Sequence, residues 1–303
     1  MLGRLKMDVD QCIIGYTRLC RHVFGRKKRL SLTEMGVSRG KKARHDAKRL
    51  EYALKSILKE LGHEDRDILL QDVDLSCRVY FLSLSLWFGL MLMLGYARVS
   101  FVTDVSTHKL LPLSTYPSKY CPNELYKSTK TWEAGVASLA TASLFDSVPL
   151  GTPQTRRRFT DATLQANNPI REVWIEAKNV WKLTTLESQL RCLVSIGTGL
   201  PVIKRCGKNS GGGVFGSNKA GEASIVDPEV ETNKFIQEHS ELDDDGRLYR
   251  FDVPNGLAEI GLDDVAEMEV IVDATQDYLG KELVYKQVRR CGKALVRTGE
   301  SEV

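Results

Sequence analysis

Apolar residues recur at helical spacing near the start of the chain. Val9, Ile13, Tyr16 and Cys20 share one face of a helix, and Asp8 fits its N-cap or first turn. A second amphipathic helix is predicted over 41–61, where Leu50, Leu54, Ile57 and Leu61 form the apolar stripe and charges fill the opposite face. Beyond residue 98 the pattern shortens, and strands are predicted at Val99–Thr103, Leu110–Leu113, Arg158–Thr160, Cys192–Ile196 and Leu248–Val253. Helices fall between them: an Ala-rich segment over Lys130–Phe145, a helix running to Trp181 with Pro169 at N1, and one from Pro228. Two more close the chain. Tyr116–Asn123 reads as turns, Gly197 and Gly199 end the strand before them, and 203–223 reads as a flexible loop. Strands alternating with helices of this length predict an α/β architecture.

Composition narrows the class. The 303 residues are 42% apolar and 27% charged, which excludes a disordered, collagenous or disulfide-scaffold chain. The net charge of +4 hides an asymmetry, since residues 1–60 hold sixteen Lys/Arg against six Asp/Glu and so carry +10, leaving −6 for the remainder. A uniformly basic nucleic-acid binder is excluded, and the runs at Gly25–Arg29 and Gly36–Lys42 read as solvated surface. The seven cysteines form no C-x-x-C pair, and Met1–Met7 lacks an apolar leader core. Both point to intracellular thiols and a cytoplasmic chain. The five histidines show no ligand spacing, and Glu241–Gly246 with Asp252 reads as a turn, not a calcium loop. No metal and no cofactor is expected.

Five segments carry more specific information. Lys127–Ala134 (KSTKTWEA), Phe159–Asp161 (FTD), Ala166–Trp174 (ANNPIREVW), Cys192–Pro201 (CLVSIGTGLP) and Leu242–Asp252 (LDDDGRLYRFD) follow one another in this order. Their order and spacing resemble the second half of a fungal patatin-like phospholipase domain. That resemblance implies a three-layer α/β fold of the FabD/lysophospholipase-like kind, with helices on both faces of the sheet and an incomplete N-terminus. It also implies a lipid acyl hydrolase using a Ser–Asp dyad, with a phospholipid or other acyl lipid as substrate and a membrane surface as a possible partner. Asp161 matches the dyad base. The next position holds Ala162 where the family has Gly, and Val136–Ala142 replaces a segment resembling Arg-Ala-Thr-Ser-Ala-Ala-Pro.

A hydroxyl is a weak nucleophile until a positioned base removes its proton and backbone N–H groups stabilise the oxyanion. The resemblance places the family's G-x-S-x-G turn ahead of a segment like Met1–Cys12, so the chain is expected to begin inside the helix after the nucleophile. The 303 residues are therefore expected to be inactive on their own, with unpaired sheet edges. Gly36-Val-Ser-Arg-Gly40 satisfies the pattern literally. It lacks a buried apolar strand before Ser38 and small residues after it, so Ser38 reads as a chance match. Ser210–Gly216 scans as a glycine-rich phosphate or oxyanion loop, but no strand leads into it.

One stretch stands apart. Val79–Ala97 contains no charge and is long enough to span a bilayer with Tyr80 and Tyr96 near its ends. Family members have no insert at this point, and deleting 79–98 joins Ser76–Arg78 to Val99–Thr103 as one strand. Translated intron is the favoured reading over a membrane helix. The rival function is a non-enzymatic single-pass or membrane-associated interaction protein whose basic N-terminal region meets anionic headgroups.

Overall fold

The computed structural model describes residues 5–25, 45–72, 100–141, 144–162, 165–166, 168–199, 228–254, 257, 260–261 and 263–296. Ser38, the apolar stretch 79–98, the loop 203–223 and the glycine run at 210–216 lie outside the described residues.

The N-terminal expectation holds in detail. Asp8 Oδ1 accepts from Gln11 N at 2.7 Å and Gln11 Oε1 accepts from Asp8 N at 3.1 Å, a reciprocal capping box that starts α1 (Val9–Phe24). Before it, Lys6 adopts φ 50°, so the cap begins a fresh helix. The second helix is shorter than its apolar stripe implied: α2 is Ala47–Glu60, and Asp46 caps it through Lys48 N. Leu19, Val23 and Phe24 of α1 and Leu50, Ala53 and Ile57 of α2 enter one core.

The remaining strands form two separate sheets among the described residues. Ser100–Asp104 (β1), Leu110–Leu113 (β2), Val148–Leu150 (β3) and Arg157–Asp161 (β4) make an antiparallel sheet in the order β2-β1-β4-β3. β1 is interior and buried on both faces, Val102 on one and Thr103 on the other. Leu193–Ile196 (β5) and Leu248–Phe251 (β6) pair in parallel, Leu193 opposite Leu248. The architecture is thus mixed α/β, and the four-stranded sheet is antiparallel throughout. The reason is local. β1 and β2 are joined by a tight hairpin, in which Asp104 N donates to Lys109 O and His108 N to Asp104 O, with His108 at φ 54°.

Helices α3 (Asn123–Ser128) and α4 (Thr131–Ser138) follow the turns, and α5 is Ile170–Trp181. Ala134, Val136 and Ala137 of α4 pack into the same core as Val102, Val148, Leu150 and Phe159 of the first sheet. Val173 and Val180 of α5 instead pack with Leu110, Tyr116, Ala162 and Ala166. Leu110 pairs with Thr103, so this second cluster lies on the opposite side of the sheet. Pro169 occupies the N-cap and not N1, and its carbonyl accepts from Val173 N. The predicted turn at 241–246 contains a one-turn helix, α7 (Ser240–Asp244), before Gly246 reverses the chain at φ 64°. α6 (Pro228–Glu238), α8 (Met268–Leu279) and α9 (Glu282–Leu295) complete the chain.

The largest correction concerns the Ala-rich segment. A helix through Phe145 was predicted, yet α4 stops at Ser138 and the chain turns at Leu139–Thr141, with Leu144 N and Phe145 N both bonding back to the Thr141 carbonyl. The Ala140 carbonyl is claimed by the amide of Asp161 at 3.2 Å, a bond to β4 that a continuing helix would forbid.

Candidate functional site

Asp161 is the last residue of β4 and lies opposite Val102 of β1. Phe159 and Asp161 are buried on the face of β4 that meets α4, Arg158 points to the other face, and Arg157, on the same face as Phe159 but at the start of the strand, is exposed. A carboxylate carried there by the strand needs donors, because an unsatisfied buried charge is costly. Thr141, just beyond α4, supplies one: its Oγ1 donates to Asp161 Oδ2 at 2.8 Å. Thr141 is itself fixed in a tight turn, its carbonyl accepting from Leu144 N and Phe145 N at 2.8 and 2.9 Å. The segment Val136–Ala142, where the sequence departs from the resemblance, thus provides the side chain that orients Asp161. No local signal marks Thr141, since the contact spans twenty residues and depends on where α4 ends.

Ala162, where the resemblance leads one to expect Gly, is accommodated. Its methyl is buried against Tyr116 and Ala166, and its φ is not positive. Its carbonyl accepts from Gln165 N and Ala166 N, turning the chain out of β4 toward α5. Asn168 then anchors the turn: its Nδ2 donates to Thr232 Oγ1 at 2.8 Å and to Pro228 O at 3.1 Å, tying the start of α5 to α6.

The five sequence blocks fall into two groups. Ala134 and Phe159 share the core of the first sheet. Ile170, Trp174, Leu193, Leu242 and Leu248, drawn from the other three, share a second. At the ends of β5 and β6 the glycines of the fourth block meet the last residue of the fifth. Gly199 N, at φ 101°, donates to Asp252 Oδ1 at 2.7 Å, and Arg250 bonds Asp252 Oδ2 while its Nη1 donates to Ser195 Oγ at 2.7 Å. A Cβ on Gly197 would fall 1.7 Å from Asp252 Oδ2, so only glycine fits there.

Glu176 was missed by sequence reasoning. It sits on α5 one turn from Val173 and Val180, is 3% exposed, and among the described residues neither carboxylate oxygen has a hydrogen-bond partner. Burial pushes its pKa up to about 7. A pocket of about 380 Å³ lies near the other end of β4, where Arg157 and Arg156 line it with Glu124 and Gln154, so it is separate from Asp161. Among the described residues no group of His, Cys, Asp and Glu could hold a metal ion, and no helix is long and apolar enough to cross a membrane.

Set against known proteins, the chain matches no protein-family model and no curated protein.

Proposed function

We propose that this chain carries the general base of a patatin-like lipid acyl hydrolase. Support comes from the five collinear blocks and above all from Asp161, a buried carboxylate at a strand end oriented by the Thr141 hydroxyl. In this reading the sheet belongs to a three-layer FabD/lysophospholipase-like domain. A serine on a strand-to-helix turn attacks the acyl carbonyl of a phospholipid or related lipid. Asp161 accepts the hydroxyl proton, backbone N–H groups hold the oxyanion, and water releases the acyl group. The chemistry requires no cofactor or metal. Its setting is cytoplasmic, at the periphery of membranes.

In this reading Ser38 is not the nucleophile, and residues 1–303 without a G-x-S-x-G turn of the family's kind release no fatty acid. The test is to extend the protein by the codons immediately upstream and to assay fatty acid release from phosphatidylcholine vesicles. An upstream G-x-S-x-G segment that confers release, lost in Asp161→Ala, supports the proposal. Release that survives Asp161→Ala, or an upstream sequence with no such segment, overturns it. Activity of 1–303 that disappears in Ser38→Ala would move the nucleophile to Ser38.

A further inference from the structure

α9 is attached by a narrow stripe. Of its fourteen residues only Val284 and Cys291 are buried, and Ala294 and Leu295 pack beside Cys291 onto Cys192, Val194 and Tyr249. At 100° per residue the arc opposite this stripe runs from Tyr285 through Arg289, Lys293, Lys286 and Arg290 to Leu283. Every one of these side chains is exposed. Four cations face a single carboxylate on that arc, Glu282, which is paired with Lys286 at 2.9 Å. Its rims are apolar, with Leu283 78% and Tyr285 52% exposed. The preceding helix has the opposite sign, exposing Glu269, Asp273 and Asp277, so within this helix pair the cationic surface lies on α9.

A surface of four cations rimmed by a leucine and a tyrosine matches one kind of occupant. A nucleic acid would meet the charges but has no use for Leu283. A second copy docked through the same helix across a two-fold axis would set like charges against each other. An anionic bilayer uses both features, since headgroup phosphates and carboxylates attract the cations while leucine and tyrosine enter the interfacial layer.

We infer that α9 is a docking helix for anionic lipid bilayers, lying along the surface with the Lys286–Lys293 face toward the headgroups. The inference stands on charge and exposure and is independent of the hydrolase proposal, because binding is read without catalysis.

The test is co-sedimentation of the whole chain with phosphatidylcholine vesicles and with vesicles in which about one-third of the lipid is phosphatidylserine. Wild type is expected to pellet with the anionic vesicles only and to be released by high salt. Arg289→Glu with Lys293→Glu, both fully on the outer arc, lowers the bound fraction about tenfold or more, with an unchanged circular dichroism spectrum. Leu283→Ser weakens binding without altering its salt dependence. Equal binding to both vesicle types, no binding to either, or full binding by the double charge reversal overturns the inference; the last would assign binding to the basic run at 26–42. A dimer in light scattering that the same reversal dissociates also overturns it, and would make α9 a contact between copies.

Discussion

Thr141 Oγ1 donates a 2.8 Å hydrogen bond to Asp161 Oδ2, joining the end of α4 to the end of β4. The two residues also meet through the backbone, because Asp161 N donates to the carbonyl of Ala140. Helix termination and carboxylate orientation are therefore one event. Thr141→Val keeps the shape and removes the donor, leaving the buried carboxylate a bond short. The expected loss is about 1–3 kcal/mol of unfolding free energy in urea titration. Thr141→Ser should recover most of it, and an equal loss in both variants would show that packing, not the hydroxyl, matters.

His45 and Asp263 form a polar contact across 218 positions of the chain. Nε2 lies 3.0 Å from Oδ2, both side chains are nearly inaccessible, and Phe24 and Phe145 flank the imidazole. Asp263→Ala leaves a buried imidazole nitrogen without this bond and should cost roughly 1–3 kcal/mol. Replacing both partners, His45→Phe with Asp263→Leu, should recover part of that loss. A double-mutant cycle in denaturant measures the coupling.

Two buried carboxyls bend the pH dependence of stability in opposite directions. Burial by itself would raise the Asp104 carboxyl, but bonds from the Ser106 hydroxyl and amide and the Thr107 amide, with the charge of Arg157, hold it lowered. Its stabilisation is present above the unfolded pKa and lost as pH falls through the folded one. Glu176 is raised by burial from 4.5 to about 7, so the folded state holds a proton that the unfolded state releases. Stability then falls as pH rises through that window, by on the order of 3 kcal/mol. Glu176→Gln should flatten the slope between about pH 5 and about pH 8, while Asp104→Asn should flatten the acid limb. In urea titrations, an unchanged slope between about pH 5 and about pH 8 would contradict the Glu176 assignment, and an unchanged acid limb below that range would contradict the Asp104 assignment.

Gly197→Ala drives a methyl into Asp252, whose carboxylate is already committed to Gly199 N and Arg250. Either β5 shifts or the Asp252 bonds break. A cost of about 1–3 kcal/mol is expected. Gly246→Ala gives a useful contrast: a Cβ there meets no atom within 4 Å, so any cost reflects the φ of 64° alone.

The exposed cluster around Asp67 should matter less. Lys130 Nζ and Trp132 Nε1 bond its two oxygens at 2.7 and 2.9 Å, and Lys55 lies over the Trp132 ring at 4.2 Å. Bonding to Lys130 outweighs burial and keeps the Asp67 carboxyl lowered, yet its side chain is 44% exposed and screened by water. Asp67→Asn should cost less than about 1 kcal/mol, and less still at high salt.

Much of this protein is written locally. The Asp8 cap, the apolar stripes of α1 and α2, the helix after Asn168 and the strand of Leu193–Ile196 are set by neighbours within one or two turns, and all were legible in the sequence. The sequence also singled out Asp161 by its place among the collinear blocks. What it left open depends on segments far apart along the chain. β4 enters between β1 and β3, α4 ends where Asp161 takes the Ala140 carbonyl, and Thr141 becomes a partner of the carboxylate twenty residues away. Burial of Glu176 and the meeting of His45 with Asp263 are of the same kind. Periodicity reports which face of an element is apolar, but only packing decides which element covers it, and with that which polar groups lose water and must find each other.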